Sequence, residues 1–136
     1  GKTVIDIGCG SGILSIAASM LGAASVYAVD YDEVFLENMS ENIQHNKIKN
    51  VTFKVGDVFR MKSFPGDVCL MNIEKHIIRP ALAKMTEMGI LFNELFLSGL
   101  LAVDYEDAVI FTGKAGYNIH EKVEKGEWIG LYCVPK

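Results

Sequence analysis

The stretch that most constrains the fold is residues 3–22, TVIDIGCGSGILSIAASMLG. Thr3 to Ile7 is apolar and β-branched apart from one aspartate, and reads as a buried strand. Gly8, Gly10 and Gly12 follow, alternating with Cys9 and Ser11. Ser11 to Leu21 is rich in Ala, Leu and Ile at helical spacing, and Gly22 is a natural C-cap. Strand, bare glycine turn and helix in this order begin a βαβ unit. A turn without side chains lets a ligand approach the backbone at the start of a helix.

The rest of the chain repeats the alternation. Ser25 to Val29 reads as a second strand, ended by Asp30. Asp32 to Asn46 is an amphipathic helix with Val34, Phe35, Met39 and Ile43 on one stripe. Further strands are expected over Val51–Val55, Asp67–Met71 and Ile90–Leu97. Helices are expected over Ile73–Glu87, with Pro80 as a kink or restart, and over Val103–Ala115. Tyr117–Val123 and Trp128–Val134, joined by EKGE, read as a closing β-hairpin. The pattern predicts an α/β fold: a mainly parallel seven-stranded sheet, helices on both faces and an antiparallel C-terminal hairpin. Such sheets bind ligands beyond the carboxyl ends of their strands, near the point where strand order reverses. This directs attention to the glycine loop, Asp30, Asp57 and Asn72.

The chain of 136 residues has room for one domain, and residues 1–136 read as one. It starts on glycine and almost at once enters a strand, which reads as a chain cut from a longer protein at its N-terminus. The net charge of −4 argues against a nucleic-acid backbone as the main partner, while leaving a local basic patch open. Cys9, Cys69 and Cys133 are far apart and sit in apolar runs, as reduced thiols of a cytoplasmic protein would. No metal-ligand cluster, signal peptide or membrane-length apolar run is visible.

Two ligand classes use a glycine loop of this kind. A dinucleotide prefers G-x-G-x-x-G. Counted from Gly8, that pattern puts Ile13 at the third glycine; counted from Gly10, it puts Ser15 there. The clean pattern is D-x-G-x-G-x-G, from Asp6, Gly8, Gly10 and Gly12. A carboxylate at Asp6 suits a sulfonium or ammonium better than a pyrophosphate. Asp30 can accept hydrogen bonds from both hydroxyls of a ribose.

These residues resemble the first motif of the class I methyltransferases, which bind S-adenosylmethionine on a Rossmann-like fold. The closer resemblance is to the ribosomal protein L-eleven methyltransferases. It rests on the V-x-D-x-G-C-G-S-G-I-L run of Val4 to Leu14 and the lone Asn72-Ile73. Leu97 to Leu101, beginning LSG, and the G-E-W of Gly126 to Trp128 extend it over nearly the whole chain. The chain departs from the family where Glu74-Lys75-His76 replaces the usual Leu-Ala, and where Glu87-Met88-Gly89 replaces the usual P-G-G turn.

The resemblance implies that Asp6, Gly8, Cys9, Gly10, Gly12 and Ile13 wrap the methionine end of the cofactor. It implies that Asp30 and Tyr31 meet the ribose, and that Gly56, Asp57 and Val58 meet the adenine, with Phe59 as a further apolar contact. Asn72 would touch the cofactor and act as the catalytic residue that orients an amine. Apart from the resemblance, since the chain departs from the family here, Glu74 could attract a cationic amine or accept its proton, and Lys75 and His76 could shape a pocket mouth. The acceptor implied is an amine on a protein, a lysine or an N-terminus. A small-molecule or RNA methyltransferase of the same fold, an NAD-binding oxidoreductase and a non-catalytic cofactor-binding module are the alternatives. Plainer readings stand beside these roles: Asp30 and Asp57 as strand-end caps, and Glu74 as a solvated first helical turn.

Overall fold

The computed structural model describes residues 1–136. Seven strands form one sheet in the order β3-β2-β1-β4-β5-β7-β6, mostly parallel, with an antiparallel hairpin at the C-terminal end. The chain divides into two units, Gly1–Leu70 and Met71–Lys136.

The first unit contains β1 (Thr3–Ile7), α1 (Ile13–Met20), β2 (Ser25–Asp30), α2 (Phe35–His45) and β3 (Val51–Val55). β1 pairs in parallel with β2, placing Asp6 opposite Ala28, and β2 pairs in parallel with β3. Val4, Val26 and Val68 form a buried cluster with Ala18, Ala23, Val51 and Leu70 packed against it. The lead-in to β4 (Val68–Asn72) is fixed against β1 by Thr3 and Asp67. The Thr3 hydroxyl donates to the Asp67 carboxylate at 2.9 Å, and the Asp67 N–H donates to the Thr3 carbonyl at 2.8 Å.

The second unit contains the end of β4, then α3 (Lys75–Glu87), β5 (Glu94–Leu101), α4 (Tyr105–Lys114), β6 (Tyr117–Lys125) and β7 (Trp128–Pro135). β7 lies between β5 and β6 and is antiparallel to both. Leu95 faces Cys133 and Leu97 faces Leu131 across the β5–β7 ladder, and all four are buried. No helix is long and apolar enough to cross a membrane.

Several boundaries differ from the sequence reading by a few residues, and three of these differences, in α1, α2 and β5, have a clear local reason. α1 starts at Ile13 rather than Ser11 because Gly12 is left-handed, with φ +91°. α2 starts at Phe35 rather than Asp32 because the Asp32 carboxylate accepts the Val34 N–H and holds a turn there, leaving Val34 exposed rather than packed. α3 runs through Pro80 without a restart. β5 occupies Glu94–Leu101 rather than Ile90–Leu97. Residues 89 and 90 instead close α3: the N–H of Ile90 donates to Met85 and that of left-handed Gly89 to Thr86, a Schellman cap.

The same cap closes α2 without a glycine. Lys47 takes φ +56°, its N–H donating to the Gln44 carbonyl at 3.1 Å while Ile48 donates to Ile43 at 3.0 Å. A left-handed residue with a Cβ is strained, and glycine relieves this at some cost in unfolded-state entropy. Lys47→Gly is therefore expected to stabilise the fold by about 0.5–1 kcal/mol. Reversible denaturant unfolding checks this, and a lower midpoint would refute the strain argument.

Candidate functional site

The loop between β1 and α1 is carried by the end of β2. The Val29 carbonyl accepts the N–H groups of both Gly8 (2.8 Å) and Cys9 (3.1 Å). One Asp30 oxygen accepts the Gly10 N–H at 2.9 Å, and the other accepts the Asp32 N–H at 3.0 Å. Asp30 is thus the structural tie of the plainer reading. A carboxylate has about four lone-pair directions. Two backbone donors leave it able to accept two more hydrogen bonds.

Gly8, Gly10 and Gly12 have φ +75°, +52° and +91°, the region in which a side chain is strained. Beyond that, two of them differ. A Cβ on Gly12 would lie 2.0 Å from the Met39 sulfur, so a side chain there would force the buried Met39 tip on α2 to move. A Cβ on Gly10 would meet nothing within 4 Å. Its bare face opens into a cleft lined by Cys9, Asp30, Phe35, Leu36, Met39 and Phe53.

Asp6 lies beneath the loop at 1% exposure. One oxygen accepts the Ser15 hydroxyl at 2.6 Å, and the other, Oδ1, has no hydrogen-bond partner. Burial raises the Asp6 carboxyl to about 6, and the charge of Asp30 adds to the rise, while the hydrogen bonds from Ser15 oppose it. Burial, then the charges of Asp6 and Asp30, push the Cys9 thiol up to about 12, so it is no nucleophile at neutral pH.

Gly56 follows β3, its N–H donating to the Asp30 carbonyl at 2.8 Å. Asp57 caps a single 3₁₀ turn, Val58–Arg60, by accepting the Phe59 N–H at 2.9 Å. Val58 is buried, Phe59 is exposed, and Ile13 and Tyr31 are 72% and 79% exposed. A second cleft reaches from Tyr27 and Val29 to Asp57, with Lys54, Arg60 and Lys62 also in its lining.

In the second unit, exposed Asn72 ends β4. Glu74 occupies the cap position of α3 and pairs with His76 at 3.0 Å, both largely exposed. Lys75 does not stand at a pocket mouth as a free cation: its Nζ lies 2.9 Å from Asp104 and 3.4 Å from Asp107. Sequence reasoning missed these ion pairs because α3 and β5 separate Lys75 from the two aspartates.

The profile of the family described as "Ribosomal protein L11 methyltransferase (PrmA)" matches residues 1–135. The chain belongs to this family. A ribosomal protein L11 methyltransferase of Acetivibrio thermocellus is 35% identical over 132 residues, covering 96% of this chain and 42% of its own length. Curated relatives from Lacticaseibacillus and Streptococcus are covered over 43% and 41% of theirs, so the chain spans about two-fifths of the relatives it matches. Among solved structures, a ribosomal protein L11 methylase of Lactobacillus delbrueckii superposes with a TM-score of 0.89 at 28% identity, covering 99% of this chain and 70% of that one. Magnesium protoporphyrin IX methyltransferase of Synechocystis, described with bound SAM, shares the fold with a TM-score of 0.79 at 22% identity, covering 100% and 71%. Membership in a methyltransferase family disfavours the oxidoreductase alternative.

The Asp6 carboxyl gives a direct test of the buried site. Its folded value lies above the ordinary 3.8, so the folded state holds the proton more tightly than the unfolded chain. The stability this contributes is present below pH 4 and is lost as pH rises through about 6. Carbon-detected NMR of the side chain is expected to show titration near 6, moved upward in Ser15→Ala. A midpoint near 4 in both proteins would refute the desolvation argument.

Proposed function

We propose that the protein transfers a methyl group from S-adenosylmethionine to an amine of a ribosomal protein. The observation that carries this reading is the family match over residues 1–135. The residues of the first unit fit the cofactor. Gly10 offers open backbone where a side chain would intrude. The unpartnered Asp6 oxygen is an acceptor beneath the loop, suited to the cationic methionine end. Asp30 keeps acceptor capacity for a ribose beside its two backbone bonds. Asp57, with Gly56 and Val58, is proposed for the adenine, and Cys9, Gly8, Gly12, Ile13 and Tyr31 for the wall around the ligand. One domain over residues 1–136 and a cytoplasmic location belong to the same proposal; kinship with methyltransferases of a ribosomal protein supports the location.

When bound, the cofactor supplies an electrophilic methyl group on a positively charged sulfur; held by Asp6, the Gly8–Gly12 loop, Asp30 and Asp57, it would pass that methyl to the acceptor nitrogen, the carbon–sulfur bond giving way to a carbon–nitrogen bond, and would itself be left as a neutral thioether. The acceptor nitrogen must present a lone pair, so its ammonium loses a proton to water or a nearby base. A neutral leaving group needs no acid, so the protein's task is alignment. Asn72, whose side-chain carbonyl can accept an N–H from the acceptor, is proposed as the aligning residue. Glu74, exposed and close in sequence, is proposed to attract the cationic amine.

Two substitutions separate these roles. Asp30→Ala is expected to weaken S-adenosylmethionine binding by about 1–3 kcal/mol through lost charge-assisted hydrogen bonds; unchanged affinity by calorimetry would remove Asp30 from the site. Asn72→Ala is expected to lower incorporation of labelled methyl into ribosomal protein L11 more than it lowers cofactor affinity. Equal loss of both would count against alignment. Wild-type protein that binds NAD but not S-adenosylmethionine would sink the function as a whole.

A further inference from the structure

We infer that Gly99 is a positioning residue whose missing side chain lets β5 press on the backbone at Ile73, so fixing the segment that carries Asn72. This rests on the aligning role proposed for Asn72. Gly99 has φ +81°, and a Cβ there would lie 2.6 Å from the Ile73 carbonyl oxygen, 3.1 Å from its carbon and 3.2 Å from the Ile73 nitrogen. These atoms belong to the peptide bonds on both sides of Ile73, one of them shared with Asn72. They are backbone atoms and cannot swing aside as a side-chain tip can. No residue other than glycine fits without moving that segment.

The local ladder shows the same adaptation. The β5–β7 register shifts between Leu97 and Leu100, so Ser98 and Gly99 form a bulge in β5. Bulges re-aim a strand at the cost of unpaired residues and recur beside functional sites. Here the bulge brings Gly99 against Ile73. Two residues further along, Lys75 forms a second anchor. Its ammonium pairs with Asp104 at 2.9 Å, and the other Asp104 oxygen accepts the Leu101 N–H, at the end of β5, at 3.1 Å. Segment 73–75 is thus tied to β5 twice, by backbone contact at Gly99 and through Asp104 at Leu101.

A glycine that only relieved strand strain would affect stability and leave the chemical step alone. The test therefore compares Gly99→Ala, Asn72→Ala and the double variant for turnover on ribosomal protein L11, with cofactor affinity measured by calorimetry. Gly99→Ala is expected to lower kcat at least tenfold while changing cofactor Kd less than twofold, and to add nothing to the loss in Asn72→Ala, because both act on one step. Wild-type kcat in Gly99→Ala, or losses that multiply in the double variant, would overturn the inference. If Gly99→Ala does not fold, Lys75→Met carries the test. Its kcat is expected to fall two- to fivefold and to recover in Lys75→Arg; unchanged kcat in Lys75→Met would overturn the bracketing of the segment. Full turnover in Asn72→Ala would instead defeat the reading of Asn72. Amide hydrogen exchange at Ile73 and Glu74 then decides the inference: acceleration of tenfold or more in Gly99→Ala, or in Lys75→Met where the glycine variant does not fold, sustains the positioning, and unchanged exchange overturns it.

Discussion

The Asp30 carboxylate and the neighbouring Val29 carbonyl hold up the glycine loop of the first unit. Together they receive the N–H groups of Gly8, Cys9, Gly10 and Asp32. The glycine loop has no side chains with which to pack itself into shape. It therefore takes its shape from the end of the adjacent strand. That makes the parallel register of β1 against β2 a functional quantity as well as a structural one. A slip of one residue would turn Asp6 away from its buried face and present the wrong carbonyl to the loop.

Hydrogen-bonded loops of this kind are legible in sequence when glycine marks them. Thr3–Ile7 and Val51–Val55 match the structure end to end, because apolar β-branched runs bounded by turn residues leave little choice. The Lys47 cap was not legible, since a lysine gives no sign that it will take a left-handed conformation. Val34 joined the apolar stripe on paper, yet the turn made by Asp32 puts it before the helix. The glycine that ends a strand in most sequences sits inside β5, which is why that strand's second half was missed. In each miss a short-range hydrogen bond or a backbone contact overrode a pattern of hydrophobicity.

The candidate site divides along the same line. Asp6, Asp30, Asp57 and Asn72 could be found from their places after or within strands. Their partners could not. Asp57 caps a turn, Asp30 is half committed to backbone, and Lys75 is spent on Asp104 and Asp107. Identity with named relatives reaches 35% over nearly all of this chain but under half of theirs.

The half-satisfied state of Asp6 also has a consequence for occupancy. Burial raises the Asp6 carboxyl to about 6, so it holds its proton to a higher pH than a solvated aspartate does. A cationic group brought beside Oδ1 would favour the ionised carboxylate, and the proton so released would pass to the buffer, whose ionisation enthalpy would then appear in the heat of binding. One aspartate, left one hydrogen bond short, would in that case link the loop above it to the acidity of the medium.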